Sequence, residues 1–312
     1  MIGIEDIEDA RERIVPYIRR TPILEASMAR AAASPASVVM KLELQQVTGS
    51  FKARGAMNRL LGTPPAEVRA GIVTASGGNH GLAVARTAKV AGVPAVVFVP
   101  ENVSPAKVEK MRGWDADVRI VGAEWSISNE AAHDYARTTG ASYFHPFADP
   151  LVVAGQGTLG LEILDQTWDF DTIVVAVGGG GLVAGLSTAI KTRRPGVRVV
   201  AVEPTGSPTL KASIDAGEVV TLPEVTSRVA TMSCRRTDER VFEIARKNID
   251  EVVLVSDEAM LDASRWLWFE FGIAADMSGA ASIAALRSGH PTFDGCRRIC
   301  AIICGAGPEG TA

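Results

Sequence analysis

Hydrophobic and polar positions alternate along this chain in two rhythms that take turns. Ile4, Ile7, Ile14 and Ile18 recur at helical spacing behind acidic residues, and Thr21-Pro22 ends that run. Residues 38–44 alternate as a strand and deliver the chain to Thr48. From Gly71 the pattern becomes regular: a strand at Ile72-Val73-Thr74, a helix over 79–90 and a strand over 95–99. A helix over 106–112, a strand over 118–121 and a helix over 127–138 follow. A second series begins after Pro146, with a helix over 154–166, the apolar strand 173–177 and a glycine run opening a helix through Ala189. Strands over 197–202 and 252–255, helices over 258–271 and 279–286, and a last buried strand closed by Gly305 complete it. Alternating strands and helices imply parallel sheets with helices on both faces. The expected fold class is α/β, with two parallel-sheet units and a cleft between them.

Composition narrows the function. The chain has 312 residues, 47% of them apolar, and a net charge of −4 without a basic run. That is enough for a large core and argues against nucleic-acid or anionic-membrane partners. Residues 1–9 are acidic without an apolar signal core, and Gly, Pro or charge interrupts every apolar run. The expectation is a soluble cytoplasmic protein. Cys296, Cys300 and Cys304 are spaced by four, but on a strand each step covers about 13 Å, too far for shared chelation. With Cys234 alone and four histidines scattered, no zinc site is expected and the thiols read as reduced.

Three stretches carry candidate chemistry. Lys52 follows Gly49-Ser50-Phe51 at the start of a helix through Met57 and Leu61. Held at a domain edge with its ammonium inward, it would lose pKa by desolvation and serve as nucleophile or base; a solvated helix-start lysine is the plainer alternative. Ser76-Gly77-Gly78-Asn79-His80-Gly81 joins a strand to a helix, which suits a carboxylate at the helix N-terminus or a simple capped turn. Gly178-Gly179-Gly180-Gly181-Leu182 also follows a buried strand, and its amides suit phosphate oxygens or merely tight packing. A dinucleotide site using Glu203 on a ribose is a further alternative. Against it, the next glycine after Gly181 is Gly185, Pro204 follows Glu203, and the unit is not the first in the chain.

In order, Ser50-Phe51-Lys52-x-Arg54-Gly55-Ala56, Ser76 to Gly81, Gly155-Gln156-Gly157-Thr158 and the tetraglycine run resemble the fold-type II pyridoxal phosphate enzymes. Within them the chain is similar to the threonine/serine dehydratase and serine racemase branch, from Arg20-Thr21-Pro22 to Cys304-Gly305. The resemblance implies a tryptophan synthase β-like fold. Its large cofactor domain would comprise residues 1–49 and 148–312, and its small substrate domain residues 50–147. It implies pyridoxal 5'-phosphate bound as a Schiff base to Lys52, with Phe51 beside the ring and Gly178 to Gly181, with Leu182, around the phosphate. Asn79 would bond the 3-hydroxyl, and Cys304 would stand at the pyridine nitrogen. Ser76, Gly77, Asn79 and His80 would hold the substrate carboxylate. A homodimer or homotetramer is the implied assembly.

The chain departs from the family pattern at three places. Cation-binding members carry a Glu before Pro and a carboxylate six residues on; here Glu203 is followed by Thr209, so no metal is expected. The family's Ala-Asp-Gly reads Ala230-Thr231-Met232, followed by Ser233-Cys234-Arg235-Arg236. Its Glu-Pro-Ser-Gly-Ala reads Asp276-Met277-Ser278-Gly279-Ala280. These changes are expected to touch the substrate and cation surroundings. The implied reaction is β-elimination from a β-hydroxy amino acid, the amine of Lys52 taking the Cα proton and a 2-oxo acid and ammonia leaving. An amino-acid racemase on the same scaffold is the alternative, and a nucleotide-binding protein a more distant one. Related serine racemases carry a second serine where this chain has Gly77.

Overall fold

The computed structural model describes residues 2–311. The chain opens with α1 (Ile4–Ile14), β1 (Ile23–Glu25), β2 (Ser37–Lys41) and α2 (Lys52–Leu61). Then come α3 (Pro65–Val68), β3 (Ile72–Ala75), α4 (Asn79–Ala91), β4 (Ala95–Val99), α5 (Pro105–Arg112), β5 (Asp117–Ile120), α6 (Trp125–Thr139) and β6 (Ser142–Tyr143). The second series is α7 (Pro150–Gln166), β7 (Thr172–Ala176), α8 (Gly181–Arg193), β8 (Arg198–Pro204), α9 (Thr209–Ala216) and α10 (Glu239–Asn248). It ends with β9 (Glu251–Val255), α11 (Asp257–Phe271), α12 (Met277–Arg287) and β10 (Arg298–Ile302).

Two sheets result. The larger has the order β1-β2-β10-β7-β8-β9, parallel except for the antiparallel edge pair β1–β2. The smaller has the order β5-β4-β3-β6 and is parallel throughout. Val39, Ile173, Val200 and Ile299 are central in the larger core. Apolar residues fill both faces of β3: Ile72 packs with Val84 and Val97 beneath α4, and Val73 with Phe98 and Ala132 beneath α6. That two-sided burial is why the strands read as near-continuous apolar runs. Ile14 at the end of α1 packs into the core of Met57, Leu60 and Val84, so the N-terminal helix reaches the smaller sheet.

Helix α7 runs between α2 and α8 and is packed against both through glycines. A Cβ at Gly155 would sit 2.7 Å from the Arg54 carbonyl, and one at Gly185 2.6 Å from the Gly157 nitrogen. Side chains there would push apart the helix bearing Lys52 and the helix opened by the tetraglycine run.

Local boundaries differ from the sequence expectation for identifiable reasons. Strand β2 stops at Lys41 rather than 44, because the chain turns at Glu43–Gln45 and buries the Glu43 carboxylate. Helix α1 stops at Ile14, where a short 3-10 turn, Val15–Tyr17, begins around Pro16. Helix α7 starts at Pro150, earlier than 154, because Asp149 accepts hydrogen bonds from the Leu151 and Val152 amides. Helices α9 and α10 occupy a stretch the apolar pattern left unassigned; Asp238 caps the second. No helix among the described residues is long and apolar enough to cross a membrane.

Candidate active site

The candidate residues lie past the C-terminal ends of three parallel strands, where open α/β sheets place their ligands. Strand β3 ends at Ala75 before Ser76, β7 at Ala176 before the glycine run, and β10 at Ile302 before Cys304. Lys52 is brought to the same place by an isolated pairing just past the end of β10. Ser50 bridges Gly305, and the Phe51 amide donates to the Cys304 carbonyl at 3.3 Å. The Lys52 Nζ donates to the Pro146 carbonyl at 2.7 Å and lies 5.2 Å from the centroid of the Phe51 ring. Burial lowers its pKa from 10.5 to about 8. A minority of the amine is therefore neutral just above neutral pH, far more than for an ordinary lysine, as a base or nucleophile requires.

Behind Lys52 stands a buried charge network that the sequence reading missed. Arg54 Nε and Nη2 donate to the two Glu43 oxygens at 2.8 Å each, and Nη2 also to Glu162 at 2.9 Å. Lys41 donates to Glu162 at 2.5 Å, to the Thr21 carbonyl and to Gln166. Lys41, Glu43 and Arg54 are within 1% of full burial. The available signal was Lys41 and Glu43 flanking Leu42 at the end of an apolar strand; charges there are buried only when paired.

In the serine-glycine loop, Ser76 accepts from the Gly78 amide at 3.3 Å instead of capping α4. The N-cap position, Gly78, has no side-chain acceptor, so the first-turn amides of α4 remain open to an anion. Gly81 is obligatory, since a Cβ would overlap the Ser76 carbonyl. His80 is turned away: its ring Nε2 donates to the Phe144 carbonyl at 3.1 Å. Burial first, then the Lys52 charge, lowers its pKa to about 3. The ring Nδ1 is buried without a partner among the described residues, and the main-chain N–H of His80 lies in the open first turn of α4. Asn79 Nδ2 donates to Asp276 at 3.2 Å.

The glycine run is shaped as tightly. Gly180 has φ +90° and supplies no side-chain cap to α8, leaving that helix start uncapped as well. A Cβ on Gly179 would overlap the Phe147 ring, and one on Gly178 would come within 2.9 Å of the Thr231 carbonyl. Thr237 donates to the Gly179 carbonyl at 3.1 Å. The Leu182 side chain is buried in the core, so only its amide faces this end. Thr231 lies between the two loops, its methyl 3.3 Å from where a Gly78 Cβ would stand. The Ala-Thr-Met departure therefore sits over both glycine loops.

Cys304 is buried, and its thiol donates to the Ser278 carbonyl at 3.4 Å. Burial, reinforced by Asp276, pushes its pKa well above the ordinary range, so it is neutral. All four cysteines are free. Glu203, at the end of β8, is fully buried and accepts from the Leu210 and Lys211 amides at 2.8 Å each. Burial raises its pKa to about 7 against the pull of these bonds. The Thr209 hydroxyl donates to the Cys234 carbonyl. Glu203 is thus engaged as the cap of α9 and is not presented to a ribose or a cation.

An uncapped helix start in a loop that tolerates no side chain, a partly neutral, half-buried lysine and a neutral thiol together fit an aromatic aldehyde bearing a phosphate. The buried Ser50 hydroxyl, without a partner among the described residues, leaves a further hydrogen bond to be made. Comparisons agree. The family model for pyridoxal-phosphate dependent enzymes matches residues 14–305, and the chain belongs to that family. Its fold is that of the fold-type II members, and its cofactor is pyridoxal phosphate. It is 35% identical over 290 residues to a catabolic L-threonine dehydratase of Staphylococcus aureus, covering 93% of this chain and 84% of that protein. It superposes on a threonine deaminase from T.th. with a TM-score of 0.91 and 34% identity, covering 98% of both chains. Maize serine racemase gives a TM-score of 0.93 at 31% identity, with 97% of this chain and 93% of that one covered.

Proposed function

We propose that this protein is an ammonia-lyase that converts a small β-hydroxy amino acid of the threonine or serine type to a 2-oxo acid and ammonia, the water lost in the elimination being returned on hydrolysis. The observation that carries the reading is the half-buried Lys52, its amine lowered to about 8 and held by the Pro146 carbonyl. The similarity to a threonine dehydratase and a threonine deaminase supports it. In this reading residues 1–49 and 148–312 form the cofactor domain and residues 50–147 the substrate domain.

Pyridoxal phosphate supplies the electron sink for a Cα carbanion. The chain does the rest. The open amides of Asn79 and His80, with the Ser76 hydroxyl, hold the substrate carboxylate at the start of α4. Gly178 to Gly181 and the Leu182 amide cradle the phosphate at the start of α8. Freed by substrate, the Lys52 amine removes the Cα proton; loss of the β-hydroxyl as water leaves an enamine that hydrolyses to oxo acid and ammonia. Cys304, held neutral by burial, would stand at the ring nitrogen and would not favour its protonation as a carboxylate would.

Racemisation is the second reading, favoured by the likeness to maize serine racemase. It needs a proton donor on the face opposite Lys52. Gly77 carries none, and a Cβ there would lie 2.9 Å from Val103 Cγ2, so a serine would have to displace Val103. Assay of oxo-acid release over L-threonine, L-serine, 3-hydroxyaspartate and bulkier hydroxy amino acids tests the lyase reading and names its substrate. No release from any of them would sink it.

Two substitutions at Cys304 test its place. Cys304→Ser is expected to keep substantial activity, both side chains being neutral. Cys304→Asp is expected to change the visible spectrum and the product ratio. Identical spectra and products in the aspartate variant and the parent would remove Cys304 from the ring nitrogen.

A further inference from the structure

Asp276 begins α12 as its N-cap, and its two carboxylate oxygens do different things. Oδ1 does the capping, accepting from the Gly279 amide at 2.5 Å and the Ser278 hydroxyl at 2.7 Å. Oδ2 is not needed for the cap and accepts from Asn79 Nδ2 at 3.2 Å, across 197 residues of chain. Gly305 makes the meeting possible: a Cβ there would stand 2.7 Å from Oδ2 and 3.0 Å from Asn79 Nδ2. The Asp276 amide in turn donates to the Gly305 carbonyl at 3.0 Å, next to Cys304.

A carboxylate is an acceptor only, whereas the Asn79 amide has a donor end and an acceptor end. Turned over, the amide would press its oxygen against Oδ2. Fixed as found, it spends one N–H on Asp276 and has a second N–H for a neighbour. We propose that Asp276 is a positioning residue that fixes the Asn79 amide so that it offers nitrogen, not oxygen, to the ring oxygen of the cofactor. The inference rests on the placing of Asn79 at that oxygen. It also assigns a role to the Asp-Met-Ser-Gly-Ala departure: this segment reaches the cofactor side of the cleft through Asn79.

Asp276→Asn tests it, because asparagine caps helices as well as aspartate but, with its oxygen held in the cap, presents NH2 to Asn79 and so favours the turned-over Asn79 amide. Asp276→Ser, a cap too short to reach, is the companion. Asn79→Ala is measured beside them. Each is titrated with pyridoxal phosphate and with 3-deoxypyridoxal phosphate, which lacks the ring oxygen, and the melting temperature of each cofactor-free protein is recorded. The expected result is an unchanged melting temperature and pyridoxal phosphate affinity lower by about tenfold, the size of one hydrogen bond. Visible absorption would be lost to the near ultraviolet, and 3-deoxypyridoxal phosphate would bind all four proteins alike. A spectrum and affinity that change in Asn79→Ala but in neither Asp276 variant would overturn the role of Asp276 and leave Asn79 in place. No change in any variant would overturn both. Equal weakening toward both cofactor forms would make Asp276 a merely structural cap, and would also overturn the proposal.

Discussion

Lys52→Ala is expected to abolish the visible absorption that appears when pyridoxal phosphate is added, and to cut turnover by about a thousandfold or more. General-base catalysis alone is worth about 10² to 10⁴, and this lysine is also the expected covalent attachment point. The fold should survive, since Nζ makes one hydrogen bond, to the Pro146 carbonyl. Its stability should show a specific pH signature. The folded pKa of about 8 lies below the ordinary lysine value of 10.5, so the unfolded chain binds more protons between those limits. Cofactor-free parent protein should therefore gain stability as pH rises from about 8 toward about 10.5, and the alanine variant should lack that gain. A variant that turned over normally would show that another group does the chemistry.

Arg54→Met is expected to destabilise the protein by about 3–5 kcal/mol, because it leaves buried carboxylates without their cation. Glu43 is fully buried and takes both its Arg54 bonds at 2.8 Å, and would keep no cation, whereas Glu162 would retain Lys41 and the Thr21 amide. Denaturant unfolding of parent and variant under identical conditions measures the difference. A loss below about 1 kcal/mol, the scale of an exposed pair, would mean that water or protonation relieves the network. The expected loss concerns function as well. Arg54 is two residues after Lys52 on α2 and ties the start of that helix to Glu43, just beyond β2, and to α7.

The parallel strands and the glycine loops were legible in the sequence because each is a local signal. Strand β4 spans Ala95–Val99 as read, and α2 begins at Lys52. What escaped was set by distant partners. The end of β2 depends on Glu43 meeting Arg54, and Glu203 is taken by the amides of α9, an element the apolar pattern did not reveal. Strands β1 and β6 are only three and two residues long, too short for an alternation to show. The contact of Asp276 with Asn79 had no local sign at all, since one residue begins α12 and the other α4.

In the proposed lyase Lys52, at the start of α2, is the one base, and Gly77 in the facing substrate loop brings no second proton donor. The most direct test is product analysis of a long incubation with L-threonine or L-serine, with chiral chromatography run beside oxo-acid and ammonia assays. Oxo acid and ammonia in equal amounts, with little D-amino acid, is the expected result. D-serine or D-allo-threonine accumulating faster than the oxo acid would contradict it and would require a second proton donor on the face where Gly77 has no side chain.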